Sequence, residues 1–308
     1  MTGRIRNVAL IVVVIADIVA AAAGIYYFKF GRAVSADSLM ASLPGKDGAV
    51  AVVDIRALRM AGVLNSVGGA GVPEEADYKA FVAVTHFNYR DDLDLIAASY
   101  RNGDVYALAA GRFDWASLRN YALTQSGNCS EDVCTMLSSQ PGRTISFFPF
   151  SAGVMALTVS RDSNAAAAFR GSQGPVARKI AKKQPLYISF PGALLKGGDK
   201  GPAGTKLFSK ILESAERVDF TFGQKGSGFE LSMDAACASE KDAEAALNQF
   251  DGVTEIMRKY FARVNQTPGP KDLSGVLTSG IFRRAGASVH GVWPIERGFL
   301  ENLTGGTK

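Results

Sequence analysis

Imidazole and thiolate chemistry have few donors in this chain: His86, His290, Cys129, Cys134 and Cys237. Neither histidine lies beside a cysteine at a spacing that builds a zinc site. His86, between Thr85 and Phe87, sits in an alternating segment read as a strand, and His290 is read the same way. No Gly-x-Ser-x-Gly occurs, so no serine is marked as a nucleophile. Asp91, Asp92 and Asp94 crowd the entrance to a strand, but they lack the spacing and the glycine of a calcium loop and read as a solvated turn. Residues 197–206 (GGDKGPAGTK) lack Gly-Lys-Ser/Thr after a strand, and residues 68–71 (GGAG) lack the dinucleotide spacing. The sequence therefore nominates no catalytic, cofactor-binding or metal residue.

The thiols point to structure instead. Cys129 and Cys134 flank Ser-Glu-Asp-Val, a gap short enough for a local disulfide in an oxidising compartment. Cys237, within Asp-Ala-Ala-Cys-Ala, reads as a small buried thiol.

The most telling ionisable group is Asp17, near the middle of an unbroken apolar stretch from Val8 to Phe28. As a helix these residues would span about 31 Å, matching the roughly 30 Å hydrocarbon core of a bilayer. Tyr26, Tyr27 and Phe28 suit an aromatic belt, and Lys29 and Arg32 follow. Positive charge before the span, from Arg4, Arg6 and the amino terminus, places that terminus in the cytoplasm. A cleaved signal peptide is the competing reading, since Val34-Ser35-Ala36 offers small residues, but its apolar core is usually about 7 to 15 residues. Ala16, Ala20 and Gly24 recur every fourth residue with Asp17 alongside, a face on which another helix can approach closely and meet a hydrogen bond. These four residues are the expected helix-packing site, for self-association or for another membrane protein.

A net charge of +5 over 308 residues, with basic side chains not interleaved with aromatics, argues against a nucleic-acid groove. The densest cluster, Arg178, Lys179, Lys182 and Lys183, reads as a solvated helix face. Sequons at Asn128, Asn265 and Asn302 are discounted against an alanine-rich, bacterial-looking composition.

The elements that must carry any site occur twice in the same order. Residues 49–55 form a strand followed by a helix-like run to Val67, and residues 185–190 open the second half. A hairpin follows in each: Leu93 to Tyr100 and Val105 to Phe113 around Asn102-Gly103, then Arg217 to Gln224 and Phe229 to Ala236. Helices come next, Trp115 to Leu123 after the cap Asp114, and Ala243 to Phe250 after Ser239. Strand-rich ends close both halves: Thr144 to Phe150, Gly153 to Val159 and a short helix Ala165 to Phe169, against Val276 to Phe282, Ala287 to Trp293 and Ile295 to Leu303. The expected boundaries are a cytoplasmic terminus at 1–7, a transmembrane helix at 8–28, a linker at 29–44, α+β repeats at 45–172 and 185–308, and a basic connector at 173–184. The expected fold class is α+β, with antiparallel hairpins and helices on one sheet face, in two sheets or one.

With Ala51-Val52-Val53-Asp54-Ile55-Arg56-Ala57-Leu58 and Gly111-Arg112-Phe113-Asp114, the chain resembles bacterial membrane-anchored proteins whose exported part repeats strand, helix, hairpin and helix. The resemblance implies a fold but no active site. The functional expectation is a non-enzymatic interaction module in the bacterial inner membrane, with one span, a periplasmic or extracellular body and an accessory role in a membrane complex. It needs no cofactor and meets the lipid bilayer and another membrane protein or a second copy. An exported hydrolase with dispersed groups is the alternative, or a small-ligand binding protein, for which an apolar cavity between the halves would be the discriminating feature.

Overall fold

A computed structural model describes residues 34–64, 76–171, 184–196 and 203–302. The stretch 8–28 with Ala16, Asp17, Ala20 and Gly24, and the basic residues of the connector, lie outside them. Among the described residues no helix is long and apolar enough to cross a membrane.

The chain enters through α1 (Ala36–Ala41), then β1 (Ala49–Asp54), α2 (Ile55–Met60), α3 (Ala76–Thr85) and α4 (Tyr89–Asp92). Hairpin β2 (Leu93–Arg101) and β3 (Asp104–Gly111) precedes α5 (Trp115–Thr124), the small hairpin β4 (Asn128–Ser130) and β5 (Val133–Leu137), and the pair β6 (Thr144–Ser151) and β7 (Val154–Ser160). A 3₁₀ helix, Ala165–Gly171, closes this half. The second half runs β8 (Leu186–Phe190), α6 (Ala203–Leu212), β9 (Arg217–Lys225), β10 (Gly228–Ala236), α7 (Glu240–Arg263), α8 (Leu273–Ser279), β11 (Ile281–Ala285), β12 (Ser288–Ile295) and α9 (Arg297–Asn302).

All strands of the described residues join one antiparallel sheet of twelve, in the order β11-β12-β10-β9-β8-β1-β2-β3-β7-β6-β5-β4. This is an α+β fold. β1 and β8 meet at the centre, and outward from them β2-β3-β7-β6 on one side matches β9-β10-β12-β11 on the other, with β5-β4 added at one edge. The sequence left one sheet or two open; the β1–β8 ladder from Val50–Ser189 to Val53–Leu186 makes it one.

Local chemistry sets the elements. Asn102 and Gly103 both take positive φ, at 53° and 92°, as a type I′ turn requires. Asp54, Asp114, Ser239 and Asp272 each accept backbone N–H bonds as N-caps of α2, α5, α7 and α8. A bulge between Leu93 and Leu95 turns Asp94 outward, where its carboxylate meets Arg56 at 2.6 Å and Arg59 at 3.8 Å.

Side chains opposite one another in register share a face. One face carries Val218, Met233, Trp293 and Phe147 and is covered by α5, α6, α7 and α9. Its tightest part stacks Phe250 on Phe282 at 4.8 Å, with Trp293 edge-on to Phe282 at 5.3 Å. Gly291 allows this, because a Cβ there would come within 3.0 Å of both rings. A large apolar side chain buried as completely as Phe250 contributes about 1.5–3 kcal/mol.

Four expectations need correction. Helices do not keep to one face: in the first half α1 buries Leu39 and Met40, and the segment after it Leu43, over Val50, Val52 and Ser99 on the opposite face, where Phe169 of the 3₁₀ helix also packs on Tyr106 and Phe148. The segment read as linker, 29–44, therefore holds part of the core. Val276 to Phe282 is not a strand, because Asp272 caps a helix through Ser279 and the strand starts at Ile281. Finally, α7 continues thirteen residues beyond Phe250 to Arg263, with exposed Ile256 and Tyr260 in its last turns.

Candidate functional site

The residues that could do chemistry are dispersed, and most are already engaged. His290 lies on β12 and its Nδ1 contacts the Asp234 carboxylate across the β10–β12 ladder. On the same face and in the same cross-strand row stand Ser189, Asp219 and Arg283. Ser189 Oγ donates to Asp219 and accepts from Arg217 Nε at 2.7 Å. Ser189 and His290 are three strand spacings apart, about 14 Å, so the imidazole cannot take the serine proton.

His86 is not a strand residue. It follows α3 with a φ of 55° and lines a mixed hollow with Phe87, Asp92, Arg112, Phe113 and Asp114. Asp92 is paired with Arg112 at 3.0 Å, and Asp114 caps α5 while Ser117 Oγ donates to it at 2.7 Å. That hydrogen bond holds the Asp114 carboxyl below its ordinary range. The hydroxyl thus serves the cap and not the imidazole.

In the Asp91, Asp92 and Asp94 cluster, the carboxylates of Asp92 and Asp94 pair with Arg112 and with Arg56 and Arg59, while Arg112 also donates to the backbone carbonyl of Asp91. The hydrogen bond from Arg56 holds the Asp94 carboxyl below the usual range. Among the described residues no group of histidine, cysteine and carboxylate side chains could hold a metal ion.

Cys129 and Cys134 form a disulfide across β4 and β5, with Cα atoms 4.0 Å apart. Cys134 is buried against Leu118, Ala122 and Phe147, so the bridge ties the edge hairpin to α5 and the sheet. Cys237 is a free, buried thiol, and burial raises its pKa. It is an inert core residue beside Ala235.

What the fold does assemble is an apolar cavity of about 330 Å³. Its floor is Leu186 on β8, Phe222 on β9, Leu231 on β10 and Ile295 on β12, the first three one continuous cross-strand row. Leu58, Val63 and Leu64, just after β1, form one wall, and Phe299 and Leu300 of α9 the other. The cavity is thus lined from both halves, close to where β1 and β8 join them.

All nine lining side chains are hydrocarbon, and no polar surface faces the space. A site of this kind excludes ions and nucleophilic chemistry and favours an apolar guest. A larger hollow, about 510 Å³, lies between the β4–β5 hairpin and the 3₁₀ helix. It mixes Asn128, Glu131, Asp132 and Arg170 with apolar groups, without a convergent set.

Sequence reading missed the lining residues, since each looks like an ordinary core position of a strand or helix. The only available signal was the surplus of large apolar residues at 58–64 and 295–300.

No protein-family model and no curated protein matches this sequence. Among solved structures, crystal forms I and III of TP0453 are similar to it: each has a TM-score of 0.46 at 8% identity, covering 85% and 87% of this chain and 94% and 98% of the other. A likeness at that level carries nothing about function.

Proposed function

We propose that this chain is a non-enzymatic, membrane-tethered binding protein whose exported body holds an apolar ligand in the cavity between its two halves. The single observation that carries the reading is the wholly hydrocarbon lining of that cavity. Its size falls at the lower end of the range of ligand pockets, about 300–1,000 Å³. The tether rests on the apolar stretch 8–28, and an inner-membrane location with an outward-facing body follows from its flanking charges. The body is a tandem duplication, supported by the matching strand orders on either side of the β1–β8 junction. The stripe of Ala16, Asp17, Ala20 and Gly24 supports a lateral partner for the tether, as an accessory subunit would need.

The test uses the full-length chain in amphipol, titrated with the uncharged fluorophore N-phenylnaphthylamine. A saturable rise in emission is expected, and Leu231→Phe, which fills the floor, is expected to weaken it at least tenfold. Equal binding by both proteins would defeat the reading.

A further inference from the structure

Resting on the apolar-ligand reading, we infer that the ligand is a single-chain amphiphile with an anionic head group, and that Arg297 holds that head at the rim of the cavity. Arg297 stands between two pieces of the wall. It lies two residues from both Ile295 and Phe299, and its Nη2 donates to the carbonyl of Ala61, between wall residues Leu58 and Val63, at 3.4 Å. Its guanidinium sits over the ring of Phe229, 5.6 Å from the centroid, and that ring stacks at 5.3 Å on the floor residue Phe222.

The backbone beside this side chain is a glycine. Gly62 has a φ of 75°, and a Cβ there would lie 3.3 Å from Arg297 Nη1. Of the five N–H donors on a guanidinium, the long bond to Ala61 engages one, and among the described residues Arg297 makes no ion pair. The cavity contributes no polar atom, so the rim must supply any recognition of a head group. An exposed, planar cation next to the wall residues of a hydrocarbon slot matches a carboxylate or a phosphate ester on an alkyl chain. The volume of about 330 Å³ suits one chain rather than two.

Dodecanoic acid, dodecyl phosphate and dodecanol are compared as competitors of N-phenylnaphthylamine on the full-length chain in amphipol, above the carboxylate pKa. At least one of the two anions is expected to displace the fluorophore about fivefold better than the alcohol, the upper end for an exposed charge pair. Whichever anion competes better identifies the head group. Arg297→Gln should remove the preference, read as the ratio of anion to alcohol competition within each protein, and Arg297→Lys should restore part of it. Equal competition by acid, phosphate and alcohol, with the fluorophore still lost in Leu231→Phe, would overturn the inference and leave the cavity reading standing. Failure of the fluorophore to bind at all would overturn both.

Discussion

The two halves of the sheet share a strand order but close their cores differently. In the first half, α5 covers one face and α1 with the 3₁₀ helix covers the other, so Ala97, Leu108 and Ala156 are completely buried between layers. In the second half, α6, α7 and α9 crowd the helix-bearing face. The opposite face carries the row Ser189, Asp219, Asp234, His290 and Arg283, without a described helix over it. The helix-bearing face packs closely around Phe250 and Phe282 yet leaves the cavity where Leu231 and Phe222 meet the ends of α2 and α9. Equal topology therefore does not mean equal filling. The strand ladder fixes where side chains point, whereas the lengths and sizes of the covering segments decide whether a space remains.

The comparison breaks first at its largest effect. Leu108→Ala, in the filled half, is expected to cost about 4 kcal/mol, while Leu231→Ala, on the cavity floor, costs about 2 kcal/mol because its neighbours are already incompletely packed. Denaturant unfolding of the full-length chain measures both; equal losses would mean that the cavity is as well filled as the first half.

Replacing both Cys129 and Cys134 with serine should cost about 2 kcal/mol, the scale for a ring this short. The loss should appear as increased exchange of the β4–β5 and α5 amides, leaving the second half protected. Uniform loss of protection in both halves would show that the edge hairpin is not an addition to the first.

Removing the α5 cap with Asp114→Ala should destabilise by about 1 kcal/mol, by the same unfolding measurement. The smallest effect is electrostatic. Asp94 has a lowered pKa in the folded state, so its contribution is present above the ordinary carboxylate value and is lost as pH falls through the folded one. Because Arg56 and Asp94 are both partly exposed, Asp94→Asn should cost no more than about 1 kcal/mol at neutral pH. The gap between wild type and variant should close on acidification; a gap that persists in acid would assign the effect to packing at the bulge.

Much of the fold was legible where the chain supplies local, period-two information. The hairpins β2–β3 and β9–β10 follow from alternation around Asn102-Gly103 and around Lys225 to Gly228, and the caps Asp114 and Ser239 mark helix starts within a residue. Signals failed where tertiary contacts override short segments. Val276, Leu277 and Thr278 resemble a strand until the Asp272 cap is given its weight, and α1 is only six residues long, too short to show a period. His86 lies in an alternating run that ends a helix instead.

The candidate site was legible only as a question. Its lining joins Leu58 to Phe299 across most of the chain, and nothing in either neighbourhood says that the space between them stays open. The helix-packing residues at 16–24 remain a reading of the sequence, since they lie outside the described residues.

The central claim is that the cavity holds an alkyl chain, and photolabelling tests it most directly. A dodecyl chain bearing a diazirine, irradiated with the full-length protein in amphipol, should mark the peptides containing Leu58 to Leu64 and Phe299 to Leu300, and Leu231→Phe should abolish the label. Labelling confined to exposed apolar positions such as Ile256 and Tyr260, and unchanged in Leu231→Phe, would contradict the account.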